Sequence, residues 1–246
     1  RWIDLDKPVS IKNCKSLPET GAHFKFAIQF FPECMKVQLV QDCVKVMFFK
    51  QELLRLVSDV EVKITSENRI INAVAYVCLV AHENPKENHF NILDKKFHLI
   101  FPAHVLDSYD ISKNEWIEYI KQPLEIAMTQ HYTDPLCAAL SFIEQSPMYG
   151  VNYFEIKNKK KVNFLLGVDC FGLSIYRPTN RVEPINAFSW SELNKVSYVD
   201  TKFFITFLKE KSKEFVFEAK SSRVCDEMIK IIMGNHKRFM RRAEES

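Results

Sequence analysis

The apolar residues of this chain change period at Gly150. Before it, from Pro32 to about Ser146, they recur at near-helical spacing; after it they alternate in short runs punctuated by Gly172, Pro178, Asn180 and Pro184. Spacing near 3.6 lines one stripe of a helix, and spacing of two lines one face of a strand, so the sequence predicts a helical block followed by a strand-rich one. With 246 residues the chain is long enough for each block to bury a core of its own.

Within the first block, Pro32 suits the first position of a helix, where its missing N–H would have had no partner. Val37, Val40, Val44, Met47 and Phe48 then fall on one face, which predicts one long helix. A second helix is predicted over 68–81, with Ala73, Val74 and Val77 inward. Ser112 and Glu115 have capping-box spacing ahead of Trp116, Ile117 and Ile120. Asp134-Pro135 gives another start signal, for a helix carrying Leu136, Ala139, Leu140 and Ile143 that Ser146-Pro147 stops. Ahead of the block, 2–6 and 24–28 read as short extended stretches around Pro18 and Gly21.

In the second block strands are predicted over 151–157, 162–168, 173–176, 193–199, 202–208 and 214–219. A last helix begins near Ser222. Asp226 and Glu227 lie near its positive end and Lys237, Arg238, Arg241 and Arg242 toward its negative end, while Val224, Met228, Ile231 and Ile232 form its apolar stripe. Short strands followed by one amphipathic helix predict a β-sandwich closed by that helix.

Charge divides along the same line. Residues 1–150 hold 16 Lys and Arg against 19 Asp and Glu, a balance of −3, whereas residues 151–246 hold 18 against 12, a balance of +6. A basic second block can attract anionic lipid or acidic peptide, or be an ordinary solvated surface. Dense Lys and Arg clusters with interleaved aromatics are missing, so nucleic acid is not the expected partner. No apolar run approaches the roughly 20 residues that span a bilayer, which predicts a soluble protein. The chain begins at Arg1 without a signal-peptide pattern and is expected to be a piece of a longer protein. Seven scattered cysteines without a Cys-x-x-Cys pair point to a reducing cytosol rather than a disulfide framework or a zinc site.

Signals for bond-making chemistry are weak. Five glycines form neither phosphate-binding pattern, so no nucleotide cofactor is expected. His82-Glu83 opens like a zinc-protease motif, but Lys86 stands where the second histidine belongs, and His89 is out of reach of the same helix face. No metal is expected. Cys137 and Cys170 have no neighbouring signature of a nucleophile and read as small buried hydrophobes. Lys157, Lys159, Lys160 and Lys161 form the densest basic run, on a turn between the first two strands. Each lysine beside an anionic membrane adds only about 1 kcal/mol, so a solvated turn is the plainer reading.

One stretch carries more than patterning. Met148-Tyr149-Gly150-Val151-Asn152-Tyr153-Phe154 and Leu166-Gly167-Val168-Asp169-Cys170-Phe171-Gly172, then Phe188-Ser189-Trp190-Ser191-Glu192, Met233-Gly234-Asn235-His236 and Phe239-Met240-Arg241-Arg242, closely resemble the third lobe of a FERM domain of the ezrin, radixin, moesin and merlin group. The resemblance runs over 148–242 without insertion or deletion. It implies an α+β multidomain chain: the end of a ubiquitin-like first lobe over 1–29, an all-α, acyl-CoA-binding-protein-like second lobe over 30–147, and a pleckstrin-homology-like third lobe over 148–246.

For function the resemblance implies a non-catalytic cytoplasmic adaptor, peripheral at the plasma membrane, that links tails of adhesion receptors or scaffold peptides to cortical actin and is masked by its own C-terminal tail. The peptide groove of the group falls on Leu193, Val196, Tyr198, Ile229, Met233 and His236. Leu193 lies on the opposite parity from Val196 and Tyr198, so it reaches the groove only through a bulge. Lipid contacts fall on Lys159, Lys160, Lys161, Lys202 and Lys211. Here Thr201, Glu210 and Asp226 replace lysines of the group, which predicts weak, salt-sensitive lipid binding. Two alternatives remain open: a targeting module of a larger tyrosine phosphatase or kinase, and a helical lobe that holds a lipid or acyl ligand.

Overall fold

The computed structural model describes residues 27–58, 65–102, 106–130, 135–208 and 214–245. The extended stretch expected over 2–6, residues 24–26 of the one expected over 24–28, the cap at Asp134, and Glu210 and Lys211 lie outside them.

The helical block contains α1 (Met35–Gln38), α2 (Asp42–Ser58), α3 (Ser66–Glu83), α4 (His89–Ile100), α5 (Lys113–Gln130) and α6 (Pro135–Glu144). The single long helix expected after Pro32 is two helices. α1 is one turn, the backbone is extended at Leu39, and α2 restarts the count at Asp42. That break rotates the stripe: Val37 is 80% and Val40 89% exposed, Met47 is exposed as well, and of the five only Phe48 is buried. Two features favour the break. Val37 and Val40 are β-branched and lose rotamer freedom in a helix, and the Glu144 carboxylate of α6 accepts the free N–H of Met35, fixing the first turn by a tertiary bond.

α3 is the centre of the block. Thr65 caps it by accepting the Asn68 N–H at 3.3 Å, and Ala73, Val74, Ala75, Val77, Cys78, Leu79 and Ala81 are all buried between α2, α4, α5 and α6. A helix buried on most of its circumference needs small residues for close approach, hence the alanines. Ser112 and Glu115 form the expected capping box: Glu115 accepts the Ser112 N–H at 2.8 Å, and Ser112 Oγ accepts the Glu115 N–H at 3.3 Å. α4 was not anticipated. Asn88 caps it by accepting the N–H groups of Phe90 and Asn91, and it buries Ile92, Leu93, Phe97 and Ile100.

The second block has β1 (Asn152–Lys157), β2 (Asn163–Val168), β3 (Gly172–Tyr176), β4 (Asn186–Ser189), β5 (Leu193–Val199), β6 (Lys202–Phe207), β7 (Glu214–Ala219) and the closing helix α7 (Ser222–Glu245). β4 is additional to the six expected strands. All pairings are antiparallel, in the order β4-β3-β2-β1-β7-β6-β5. The halves join through only two residue pairs of β1 and β7, Ile156 with Ala219 and Lys157 with Glu218. The sheet folds over on itself there: Phe188 of β4 stacks on Phe207 of β6 with ring centroids 4.0 Å apart, although four strands separate them in the order. α7 closes the opening with Cys225, Met228, Ile231 and Ile232, all fully buried. Burying one such side chain stabilises the fold by roughly 1.5–3 kcal/mol.

The two blocks meet at Tyr149-Gly150. Met148 and Tyr149 pack with the helical core, and the Tyr149 hydroxyl donates to the Pro32 carbonyl at 2.9 Å. Gly150 has φ +63°, a left-handed conformation that costs glycine little, and a Cβ there would lie 2.7 Å from Phe31 Cβ. Its N–H donates to the buried Glu52 carboxylate at 3.1 Å.

Candidate functional site

β5 stands at one end of the sheet order, so among the described residues one side of its backbone has no strand partner. Its pairing with β6 shifts register between Leu193 and Lys195, the bulge that Leu193 required. Leu193, Val196 and Tyr198 accordingly pack together against the sandwich core, while Asn194, Lys195 and Val199 face solvent.

α7 runs beside this edge. Ile229 is half-buried against the core, Met233 is 56% exposed, and the half-buried His236 sets its ring edge-on to Trp190 at 5.9 Å. The three follow helical spacing of four and three residues, so they share one flank, and the exposed Met240 continues it one turn further. Met240 was legible from that spacing. Trp190 was not assigned a role, yet it supports His236 from below; its indole N–H donates to the Cys170 carbonyl at 3.0 Å. Ser189 and Glu192 form a capping box around the single turn that carries Trp190. Of the six expected groove residues, Leu193, Val196 and Tyr198 thus lie on the outermost strand of the described sheet and Ile229, Met233 and His236 on one flank of α7, the helix that contacts it.

The basic residues are more dispersed. Lys159 and Lys160 are exposed on the β1–β2 turn, where Asn158 Oδ1 accepts the N–H groups of Lys160 and Val162 at 2.9 and 3.0 Å. Lys161 has φ +61° and forms an ion pair with Glu218. Lys157 and Lys202 are both cross-strand partners of Glu218. The ammonium of Lys161 holds the Glu218 carboxyl below the usual carboxylate range, with Lys157 and Lys202 adding to the effect. One carboxylate thus sits among three of the lysines. Asp226, where the resemblance implies a lysine, is exposed and pairs with Lys230 at 3.4 Å.

His82 ends α3, Glu83 pairs with Lys50 at 2.6 Å, and His89 begins α4 with its ring against Phe90. Among the described residues no group of three His, Cys, Asp or Glu is placed to hold a metal ion. Cys170 is buried, and desolvation pushes its thiol up to about 12, so it is protonated at neutral pH; Cys137 is half-buried on α6. In the helical block an open cleft of about 350 Å³ is lined by Asp94, Phe97, His98, Phe101, Leu106 and Lys113.

A family model of the FERM C-terminal PH-like domain matches residues 158–246. This part of the chain is a FERM C-terminal PH-like domain. The FERM and C-terminal domain complex of Drosophila merlin superposes with a TM-score of 0.71 at 28% identity, covering 88% of this chain and 71% of that one. That coverage takes in the helical block as well, and the likeness is to a FERM domain of the ezrin, radixin, moesin and merlin type. The MyTH4-FERM MF2 domain of Dictyostelium discoideum myosin VII matches in fold, with a TM-score of 0.54 at 18% identity, over 79% of this chain and 36% of that one. In the FERM frame the PH-like lobe comprises the sandwich and α7, and no helix among the described residues is long and apolar enough to cross a membrane.

Proposed function

We propose that this FERM lobe recognises an extended apolar peptide, which adds a strand to the free edge of β5 and lays alternate side chains against Ile229, Met233 and His236 of α7. The observation that carries the reading is Met233, a large apolar side chain left 56% exposed on the helix that contacts β5, a strand whose outer edge is unpaired among the described residues. Strand addition supplies affinity through backbone hydrogen bonds and choice through spaced pockets. FERM domains are generally non-catalytic, and this chain acts by recognition. Its partners are tails of plasma-membrane adhesion receptors or scaffold peptides, and the whole protein joins them to cortical actin at the cytoplasmic face. The merlin relative was solved as a complex of its FERM and C-terminal domains, which supports masking of this chain by a C-terminal tail of its own protein. The division into a helical lobe over 30–147 and a PH-like lobe over 148–246 belongs to the same reading.

Titration of juxtamembrane adhesion-receptor peptides against wild type and Met233→Arg tests it. Losing one pocketed side chain, worth roughly 1.5–3 kcal/mol, weakens binding by about 10- to 100-fold. Equal affinity in two folded proteins removes Met233 from the site.

Lipid contact is a lesser part of the proposal. Lys159, Lys160 and Lys202 are exposed, but Lys161 is occupied by Glu218, so binding to anionic vesicles is weak and falls steeply with salt. A second reading, an acyl or lipid ligand in the helical lobe, is favoured by the Phe97, Phe101 and Leu106 cleft. Mass spectrometry of the purified protein for a co-purifying ligand tests it.

A further inference from the structure

The flank of α7 that turns away from the groove is gripped by a segment from the other block. Phe30 lies over Gly234 so closely that a Cβ on Gly234 would come within 2.3 Å of two of its ring carbons. The Arg238 guanidinium stacks on the same ring, 4.0 Å from its centroid, and also donates to the Gly234 carbonyl at 3.1 Å. One turn further, Arg242 forms an ion pair with Glu33. The segment is itself anchored. Gln51 of α2 bonds both the N–H and the carbonyl of Ile28, at 2.5 and 2.6 Å, Tyr149 bonds Pro32, and Glu144 bonds Met35.

Around a helix each residue turns about 100°, so Gly234 and Arg238 lie about 100° and 140° from Met233. The core stripe of Met228, Ile231 and Ile232 holds the helix from beneath. Sliding α7 across the sheet, toward or away from β5, is therefore opposed on one side by Phe30 and on the other by whatever fills the groove.

We propose that Phe30 and Gly234 are positioning residues: by setting how far α7 lies from β5, they fix the width of the peptide groove without touching the peptide. The inference rests on the peptide reading above. A side chain at position 234 forces either Phe30 out of its seat or α7 toward β5. The backbone of Phe30 is held by anchored neighbours on both sides in sequence and its ring is covered by Arg238, so the helix takes up part of the displacement and the groove narrows.

The test is a steric rescue with two readouts. Gly234→Ala should weaken peptide binding by about tenfold, and the double variant Phe30→Leu with Gly234→Ala should recover to within about threefold of wild type, because the shorter side chain removes the clash. Independently of any peptide, the Trp190 indole N–H resonance reports the pose of α7 through the His236 ring. It should shift in Gly234→Ala and return toward its wild-type position in the double variant. A folded Gly234→Ala protein with unchanged affinity and an unmoved Trp190 signal overturns the proposal. So does a defect that the double variant does not relieve. If Gly234→Ala fails to fold, recovery of folding in the double variant supports the clash, and joint failure overturns it. If wild type binds no peptide, the peptide reading falls, and with it the claim about groove width; the Trp190 arm then still decides whether Phe30 positions the helix.

Discussion

The cores around α3 and α7 are built by different means. α3 is buried nearly all round, its own polar Arg69 and Asn72 included, and α2 buries Glu52 in the same block. Both amide atoms of Asn72 lack a hydrogen-bond partner among the described residues. α7 buries one apolar stripe, and the polar residue in it, Asn235, bonds the Ile231 carbonyl at 3.0 Å. The difference teaches where each block keeps its options. The PH-like lobe concentrates stability in one face of α7 and leaves the other flanks for contact, whereas the helical block spends most of the circumference of α3 on its interior.

The sharpest break of this comparison is Trp190→Ala. It removes the largest side chain of the sandwich core together with its bond to Cys170, and should cost about 3–5 kcal/mol in denaturant unfolding of the PH-like lobe. Next is Glu52→Ala in the helical block, which leaves the Gly150 N–H without its carboxylate; a loss of about 1–3 kcal/mol is expected. At the seam the effect is one of pH. Burial raises the Tyr149 hydroxyl above its ordinary value near 10, so the folded state favours the neutral phenol. Its contribution is complete below about pH 10 and declines as pH rises, by about 1.4 kcal/mol at pH 11, and the decline should be smaller by that amount in Tyr149→Phe. Asn72→Leu should sharpen the contrast in the opposite sense, stabilising the helical block by about 1 kcal/mol through removal of an amide that has no partner among the described residues. Smallest of all is Val40→Ser, expected within about 0.5 kcal/mol of wild type because the side chain is 89% exposed.

Strand periodicity made the PH-like lobe legible almost residue by residue. β5 and β7 have the limits that alternation predicts, and even the bulge could be inferred from the parity of Leu193. β4 escaped because four residues with only Phe188 turned inward show no alternation to count. In the helical block, α3 and the Ser112 capping box were readable from local chemistry. α1 and α2 were not, since what divides them is partly a bond from Glu144, 109 residues away. α4 had a readable signal in Asn88 ahead of Ile92, Leu93 and Phe97. The expected groove residues came from resemblance and the bulge from parity, but the grip of Phe30 on Gly234 joins residues 204 positions apart and left no local trace.

The bulge in β5 has a bearing on how the molecule behaves in a crowd of its own copies. A long, flat, uncharged sheet edge invites the edge of the next molecule and then the next. Here the edge is interrupted between Leu193 and Lys195, and the exposed lysine would meet its own like charge in a symmetric antiparallel pairing centred on it. The far edge, β4, is only four residues long. An edge so marked can take in one foreign strand, yet it offers poor footing for a growing stack, so the unoccupied lobe should remain dispersed at concentrations where a smooth-edged sandwich would precipitate.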